Sequence, residues 1–289
     1  MARPLFAIID TAALRHNLGV ARRHAPQSRV MAVIKANAYG HGRARAAAAM
    51  ADADGFGLLE LDAAIELRES GFRRRIVLLE GCFEPAELPA IAQHQLAVVV
   101  HSLDQVGMLD GLPARAQFDV LLKVNTGMNR LGLARADYET ALDRLRRNPG
   151  VKDITLMTHF AEADDARGVA WQMERLSRLP GHETLPWSLA NSAAILRYPE
   201  THAGWVRPGI MLYGCSPFAD QSAEDLGLKP AMTLESRLIA VQDLQPGETV
   251  GYGGQFRSDR ATRVGVVACG YADGYPRHAP NGTPILVAG

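Results

Sequence analysis

A lysine stands where a run of buried-strand type gives way to a loop. Ala32, Val33 and Ile34 form the apolar run, and Lys35 follows it directly. Lysine is normally solvated, so burial at this point would disfavour the ammonium form and leave an amine able to attack a carbonyl group. A lysine that reaches out to water is the alternative interpretation, and this stretch alone favours neither.

Residues that could take part in binding or catalysis, most of them polar, also follow four other apolar runs. They are Asn125, Met128, Asn129 and Arg130, then His159, then Asn191 and Ser192, and finally Arg207. Each alone has an ordinary structural explanation, such as a core histidine, an ion-paired arginine or a helix cap. Whether these residues have a structural or a functional role therefore depends on the strands and helices that position them.

Short apolar runs alternate with amphipathic segments along most of the chain. After a strand at 5–9 and a helix capped by Asp10 or Thr11, the pattern predicts eight strands, at 31–34, 55–59, 76–79, 96–100, 118–124, 154–157, 187–189 and 205–206. Helices are predicted between them, at 43–50, 61–69, from Pro85 onward, from the cap Ser102 to 109, and at 137–147, 169–179 and 193–196. Eight strand-then-helix units predict an α/β fold, a (β/α)8 barrel of the TIM type. A doubly wound open sheet is the alternative, but the glycine-rich dinucleotide turn expected after its first strand is missing.

The barrel gives the polar residues a common location. Functional residues of such barrels lie at the carboxyl ends of the strands, and Lys35, Tyr39, Arg130, His159 and Arg207 all follow strands. The residues Gly209-Ile210, together with Ser192 at a helix start, offer N–H groups to a phosphate between the last two strands. A phosphate site beside a lysine able to form a Schiff base indicates pyridoxal phosphate.

The pattern changes after Pro217. Residues 230–241 alternate in polarity, 247–254 are rich in turn residues, and 262–269 are again strand-like, which is typical of antiparallel β structure. We therefore expect two domains, a barrel over 1–218 and a mainly antiparallel β domain over 219–289. Residues 284–289 are predicted to begin a strand without a partner, so we expect this β domain to be incomplete or completed by another chain.

Composition excludes several classes of function. The formal net charge is zero and the pI is about 7.1, with no basic stripe for nucleic acid or an anionic membrane surface. No run has the length of a signal-peptide core or a membrane span, so a cytoplasmic protein is expected. The three cysteines, Cys82, Cys215 and Cys269, lie far apart, which disfavours disulfides and a structural metal site.

The motifs together resemble the bacterial alanine racemases, over essentially the whole chain and in the family's order. The matching stretches are Ala32-Val33-Ile34-Lys35-Ala36-Asn37-Ala38-Tyr39-Gly40-His41-Gly42, Lys123 to Gly132, Met157-Thr158-His159-Phe160, Asn191-Ser192, Arg207 to Gly214 and Gly270 to Arg277. The resemblance implies a pyridoxal-phosphate barrel followed by a β domain. It also implies interconversion of L- and D-alanine, for cell-wall metabolism, by a homodimer.

The resemblance implies a role for each matched residue. Lys35 would hold the cofactor as a Schiff base and act as one acid/base, while Tyr271 from the partner subunit would act on the opposite face. Arg207 would bind the pyridine nitrogen, and Arg130 would lie near the substrate carboxylate. Lys123 matches a lysine that is often carbamylated, which would hold Arg130 by charge. The cofactor contacts implied besides Lys35 and Arg207 are Tyr39, His159, Asn191, Ser192, Gly209 and Ile210.

Two departures from the family pattern leave alternatives open. Asn125 stands where the family usually has aspartate, and the chain ends before a family segment that shapes the substrate entrance. A cofactor-binding fragment with little or no turnover is therefore one alternative. A racemase of broader specificity or an amino-acid decarboxylase is another, and Tyr271, as a second base, disfavours the decarboxylase.

Overall fold

The structure, a computed structural model, describes residues 3–287 in two compact units. Asp10–Ala231 forms the larger unit. The smaller unit combines Met1–Ile9 with Met232–Gly289, of which residues 3–9 and 232–287 are described. No helix within the described residues is long and apolar enough to cross a membrane.

The larger unit is a closed barrel of eight parallel strands, as the sequence predicted. The strand β1 (Leu5–Ile9) lies outside it, in the smaller unit. The barrel strands are β2 (Arg29–Val33), β3 (Gly55–Leu58), β4 (Arg75–Leu78), β5 (Ala97–Val100), β6 (Phe118–Lys123), β7 (Val151–Met157), β8 (Trp187–Ser188) and β9 (Trp205–Val206). Each pairs with the next in chain order, and β9 closes on β2 with Trp205 opposite Arg29. The barrel prediction is therefore confirmed.

The barrel interior is filled by side chains, which explains why the strands are continuous in apolar residues. Its central cluster comprises Met31, Val77, Ala97, Val99, Leu121, Met157 and Trp205, each at most 3 % exposed. Strands buried inside by this cluster and outside by helices have no solvated face on which polar residues would be favourable.

Helices connect the barrel strands. The α-helices span Thr11–His24, Arg43–Ala49, Leu61–Glu69, Leu88–Gln93, Leu103–Leu109, Arg135–Arg147, Ala170–Ser177 and Ser192–Arg197. Short 3-10 helices span Pro85–Glu87, Ala114–Ala116, His182–Thr184, Pro199–Thr201 and Ile210–Tyr213. Two of the predicted caps have the expected geometry, since Asp10 accepts from the Ala12 N–H at 2.8 Å and Ser102 accepts from the Gln105 N–H at 3.2 Å.

The smaller unit consists of antiparallel pairs. Its strands are β10 (Met232–Ser236), β11 (Leu238–Leu244), β12 (Thr249–Val250), β13 (Phe256–Arg257) and β14 (Thr262–Val267), with 3-10 helices at Tyr252–Gly254 and Tyr271–Asp273. β1 pairs with β10, β11 with β14, and β12 with β13. The alternating run over 230–241 contains two strands, because β10 and β11 pair with different partners.

Two expectations about this part of the chain differ from the structure. Residues 284–287 adopt no strand, since the structure gives them no ladder partner, and 288–289 lie outside the described residues. The division between units falls after Ala231 and not after Phe218. Residues 219–231 stay with the barrel because Asn17 donates to the Lys229 carbonyl at 2.8 Å and the Ala231 N–H donates to the Tyr213 carbonyl at 3.1 Å.

Candidate active site

A cavity of about 670 Å³ opens at the carboxyl ends of the barrel strands. Most of the candidate residues predicted in this unit line it, namely Lys35, Tyr39, Lys123, Arg130, His159, Asn191, Ser192, Arg207, Gly209 and Ile210. Asn125 and Asn129, which follow the same strand as Arg130, do not line it. The lining residues come from five different strand ends and one 3-10 helix. The structure therefore brings them into one compartment, while their individual roles stay predictions.

A left-handed turn presents Lys35 and Tyr39 to the cavity. Four consecutive residues without a glycine, from Ala36 to Tyr39, have φ values of 50°, 52°, 57° and 52°. Each such residue costs about 1 kcal/mol or more, and strain of this kind concentrates at functional sites. The Asn37 side chain stabilises the turn by accepting from the Arg43 N–H at 2.8 Å. The sequence predicted only a loop here, because no residue type signals a run of left-handed backbone outside glycine.

Arg207 is a buried cation at the base of the cavity, only 4 % exposed. Its Nη1 donates to the carbonyl and hydroxyl of Ser188 at 2.5 and 2.9 Å, and its Nη2 donates to the carbonyls of Thr158 and Leu189 at 2.6 and 3.1 Å. Burial lowers the pKa of Arg207 to about 10, which still leaves the guanidinium charged at neutral pH. The Nε–H has no acceptor among the described residues, so it is the donor left for a ligand.

His159 is held neutral beside this arginine. Its Nδ1 lies 3.4 Å from Nη2 of Arg207, and because the positive guanidinium disfavours an N–H directed at it, the proton of the neutral ring is favoured on Nε2. Burial lowers the pKa of His159 well below its ordinary value, and the positive charges of Arg207, Lys123, Arg130 and Lys35 lower it further. A neutral imidazole at this place is suited to contact an aromatic ring face.

Ser192, Gly209 and Tyr39 meet at the edge of the cavity. The Gly209 N–H donates to the Ser192 hydroxyl oxygen at 2.9 Å, which leaves the Ser192 proton free for a ligand. A Cβ at Gly209 would lie 2.7 Å from the Tyr39 hydroxyl, so any other residue there would displace that hydroxyl. The Ile210 N–H has no acceptor among the described residues. Two hydroxyl groups and a free N–H thus converge in a manner suited to a phosphate.

Asn191 caps the helix Ser192–Arg197, a role that the sequence had left open for Ser192. Its Oδ1 accepts from the Ala194 N–H at 3.1 Å, and its Nδ2 donates to the Phe160 carbonyl at 3.3 Å. Because Asn191 satisfies the helix terminus, the Ser192 hydroxyl is available to the cavity.

Positive charge dominates the cavity wall. Lys123 is 6 % exposed, and burial, reinforced by the positive charges of Arg207 and Arg130, lowers its pKa to about 8 although Glu80 opposes the shift. Arg130 lies on the same wall and is exposed. The excess of cations favours an anionic ligand.

Two carboxylates of the cavity, Glu80 and Asp164, were missed by the sequence analysis. Glu80 follows β4 in the same way as Lys35 follows β2, so the strand-end rule that located the other residues could have found it. Asp164 lies in an irregular segment between β7 and the next helix, and no sequence signal marks it.

A buried amide supports His159 from behind. Gln172 is fully buried, and its Nε2 donates to the His159 carbonyl at 3.1 Å and to the Thr126 hydroxyl at 2.8 Å. Its Oε1 accepts from the Ala161 N–H at 2.8 Å. The backbone on both sides of Phe160 is therefore fixed by one side chain.

Tyr271 belongs to the smaller unit, where it begins the 3-10 helix Tyr271–Asp273 and is 63 % exposed. The Gly270 N–H donates to the Asp273 carboxylate at 2.9 Å, and Arg3 binds the same carboxylate at 2.7 Å. These contacts fix the turn that carries Tyr271, and its role opposite Lys35 stays a prediction.

Comparison with known proteins identifies the family of this arrangement. The family model for the alanine racemase N-terminal domain matches residues 9–217, and the model for the alanine racemase C-terminal domain matches residues 231–289. The alanine racemase of Nitrosospira multiformis is 58 % identical over the whole chain, which covers 82 % of that relative. That of Nitrosomonas europaea is 55 % identical, with 81 % of its length covered.

Solved structures agree with the sequence comparison. The biosynthetic alanine racemase of Pseudomonas aeruginosa superposes with a TM-score of 0.93 and 46 % identity, covering 99 % of this chain and 80 % of that one. The alanine racemase of a D-cycloserine-producing Streptomyces lavendulae gives a TM-score of 0.87 and 32 % identity, covering the whole chain and 79 % of its own. From both family models and the fold, the chain belongs to the alanine racemase family.

Proposed function

We propose that the chain interconverts L-alanine and D-alanine with pyridoxal 5'-phosphate bound in the barrel cavity. The observation that supports this most strongly is the meeting of Lys35 and the buried Arg207 in one cavity with a converging set of phosphate donors. When bound, pyridoxal phosphate supplies an electron sink for the carbanion left by removal of the α-proton.

The donor set of the cavity fits this cofactor. Ser192, Tyr39 and the Ile210 N–H would hold the phosphate, and Gly209 has no side chain that would fill their meeting point. The free Nε–H of Arg207 would donate to the pyridine nitrogen. Because the guanidinium keeps its proton, that nitrogen would stay unprotonated and the electron sink would be moderate, which disfavours transamination.

Lys35 and Tyr271 would move the protons. In one direction the Lys35 Nζ would remove the α-proton from one face of the substrate, and the Tyr271 hydroxyl would deliver a proton to the other face. In the reverse direction the two groups exchange these tasks. We propose that Tyr271 comes from the partner subunit of a homodimer, as the resemblance of the motifs implies.

Arg130 would bind the substrate carboxylate, and Lys123 would position Arg130. Arg130 lies on the cavity wall with its charge available, so it would bind the carboxylate of alanine. A carbamate on Lys123 would replace a repelling cation with an anion beside Arg130, and so hold the guanidinium in place. The use of D-alanine in cell-wall metabolism and the cytoplasmic location stay predictions.

The test is chiral analysis of the full chain with added pyridoxal phosphate and L-alanine in deuterated water. We expect D-alanine to accumulate toward an equal mixture, with deuterium entering the α-position. Lys35→Ala and Lys35→Arg should both abolish turnover, because an arginine keeps the charge but cannot attack the carbonyl. A wild-type protein that binds the cofactor but forms no D-alanine would contradict the proposal.

Tyr271→Phe tests the two-face assignment. We expect it to lower deuterium exchange from one enantiomer more than from the other, because only one direction uses the hydroxyl as the base. Tyr252→Phe is the matched control, since Tyr252 is 96 % exposed in the same unit and should leave both rates unchanged. Equal losses for both enantiomers in Tyr271→Phe would contradict the assignment.

A further inference from the structure

We propose that Tyr213 is a positioning residue that holds the Tyr39 hydroxyl in place for the cofactor phosphate, with His41 supporting Tyr213 from its side. This inference rests on the proposed binding of pyridoxal phosphate. It extends that function to two residues of the barrel unit that do not line the cavity.

The three rings form a continuous aromatic stack. The rings of Tyr39 and Tyr213 lie 4.5 Å apart between centroids at an angle of 27°, and those of Tyr213 and His41 lie 4.6 Å apart at 40°. Aromatic pairs at these separations stabilise each other beyond the burial of their area. Tyr213 is 3 % exposed and His41 is 7 % exposed, so these two buried rings have little room to move.

Tyr213 is itself anchored to the strand that leads to Lys35. Its hydroxyl donates to the Val33 carbonyl at 2.9 Å, at the carboxyl end of β2. Burial raises the pKa of Tyr213, and the nearby Tyr39 raises it further, so the hydroxyl stays protonated and keeps donating. The same residue ends the 3-10 helix Ile210–Tyr213, which follows Gly209. Tyr213 therefore joins two of the three chain segments that carry the phosphate donors, those of Tyr39 and Ile210.

His41 ties the stack to the strained turn. Its Nδ1 lies 3.0 Å from the Tyr39 carbonyl and 3.1 Å from the Ala38 carbonyl, so Nδ1 carries the proton and donates to both. These bonds fix the backbone of Tyr39 in its left-handed conformation. The ring of Tyr39 is then held by Tyr213 and its backbone by His41.

Without this support the Tyr39 side chain would have freedom about two side-chain torsions. Its hydroxyl must lie beside Gly209, 2.7 Å from where a Cβ of that residue would stand, to meet the phosphate. Ordering the ring before the cofactor arrives removes that entropic cost from binding. The expected effect is therefore on the affinity for the phosphate-bearing cofactor.

The test is a double-mutant cycle on the full chain, stripped of cofactor and titrated with pyridoxal phosphate by absorbance. We expect Tyr39→Phe to raise the Kd about tenfold, the value of one hydrogen bond to a charged group, and Tyr213→Leu to raise it by a similar factor. The double variant should bind about as weakly as Tyr39→Phe alone, because Tyr213 acts through the lost hydroxyl. Multiplication of the two factors would overturn the proposal, and so would a wild-type Kd in Tyr213→Leu.

Two further variants keep the test informative if Tyr213→Leu fails to fold. Tyr213→Phe keeps the ring and loses only the bond to Val33, so we expect a smaller rise in Kd, about threefold. His41→Gln removes the third ring, and we expect a rise of similar size that disappears in the Tyr39→Phe background. A rise that persists in that background would overturn the role of His41 in the stack.

Pyridoxal, which lacks the phosphate, separates positioning from general damage to the fold. It should bind wild type and all these variants with the same Kd, whereas a merely structural role would weaken both ligands equally and overturn the inference. Wild type that binds no pyridoxal phosphate would instead overturn the proposed cofactor. Wild type that binds and racemises while the variants bind equally well would overturn the positioning role alone.

Discussion

The Nη2 atom of Arg207 lies 3.4 Å from Nδ1 of His159, and the positive charge there disfavours a proton on Nδ1. Arginine has no acceptor, so the proton of the neutral imidazole is favoured on Nε2. Burial and four nearby cations both disfavour a second proton, which lowers the pKa of His159 well below its ordinary value. The imidazole is therefore neutral near pH 7 and poorly suited to carry a proton.

We predict that His159 keeps this tautomer from pH 8 to pH 5.5. Long-range proton–nitrogen NMR spectra should show a signal that does not titrate, and its loss in His159→Gln would assign it. The folded state binds fewer protons here than the unfolded chain, so His159 contributes a loss of stability as the pH falls below about 6.5. A titration midpoint near 6.5 for this signal would contradict the prediction.

Gln172 supports the same histidine through the backbone. We predict that Gln172→Leu lowers the free energy of unfolding by about 2–4 kcal/mol, because the Thr126 hydroxyl, the His159 carbonyl and the Ala161 N–H all lose a buried partner. Urea denaturation measures this loss. Gln93→Leu, at an exposed helix end, is the control and should change stability by less than about 0.5 kcal/mol. A similar loss of unfolding free energy in both variants would contradict a specific contribution of the buried Gln172 contacts to stability.

The sequence was sufficient to predict the barrel, its eight strands and the end of the barrel at which the cavity opens. The reason is that strand burial on two faces imposes apolar runs, and the strand ends then locate polar residues such as Lys35 and Arg207 without further information. Caps such as Asp10 and Ser102 are local, so residue type alone predicts them.

What the sequence could not predict depends on tertiary contacts. The bond of Asn17 to Lys229 keeps residues 219–231 with the barrel, and no composition change marks it. The stack of Tyr39, Tyr213 and His41 joins residues far apart in the chain. The left-handed turn after Lys35 is strained. Residue propensities cannot predict a strained backbone, because it is a conformation that the residue types themselves disfavour.

The strain in that turn can be tested by the direction in which a glycine substitution changes stability. Ala36 is exposed and has a φ of 50°, so we predict that Ala36→Gly stabilises the fold by up to about 1 kcal/mol through relief of the left-handed penalty. Ala48→Gly is the matched control, since Ala48 is exposed within the helix Arg43–Ala49 and should destabilise by about 0.5–1 kcal/mol. Thermal unfolding of both variants measures the two signs, and destabilisation by Ala36→Gly would contradict strain in the turn.

The lowered pKa of Lys123 favours reaction of its amine with carbon dioxide. Its pKa of about 8, against an ordinary value of 10.5, gives a large neutral fraction near pH 8, and the neutral amine adds to carbon dioxide to give a carbamate and a released proton. We predict a carbamate signal in carbon-13 NMR spectra of protein supplied with labelled bicarbonate, growing between pH 7 and pH 9. Lys123→Arg should lack the signal, and Lys152→Arg, at an exposed position on β7, should keep it.

The same pKa predicts a pH dependence of stability when carbon dioxide is excluded. Between about pH 8 and 10.5 the unfolded chain binds the Lys123 proton and the folded protein does not, so this residue makes stability rise with pH over that window. The gain should be at most about 3–4 kcal/mol and should be missing in Lys123→Met, which has no proton to lose. Urea denaturation of both proteins across the window measures the difference. Parallel curves would mean that burial and the nearby cations do not lower the pKa of Lys123, and would also remove the reason to expect the carbamate.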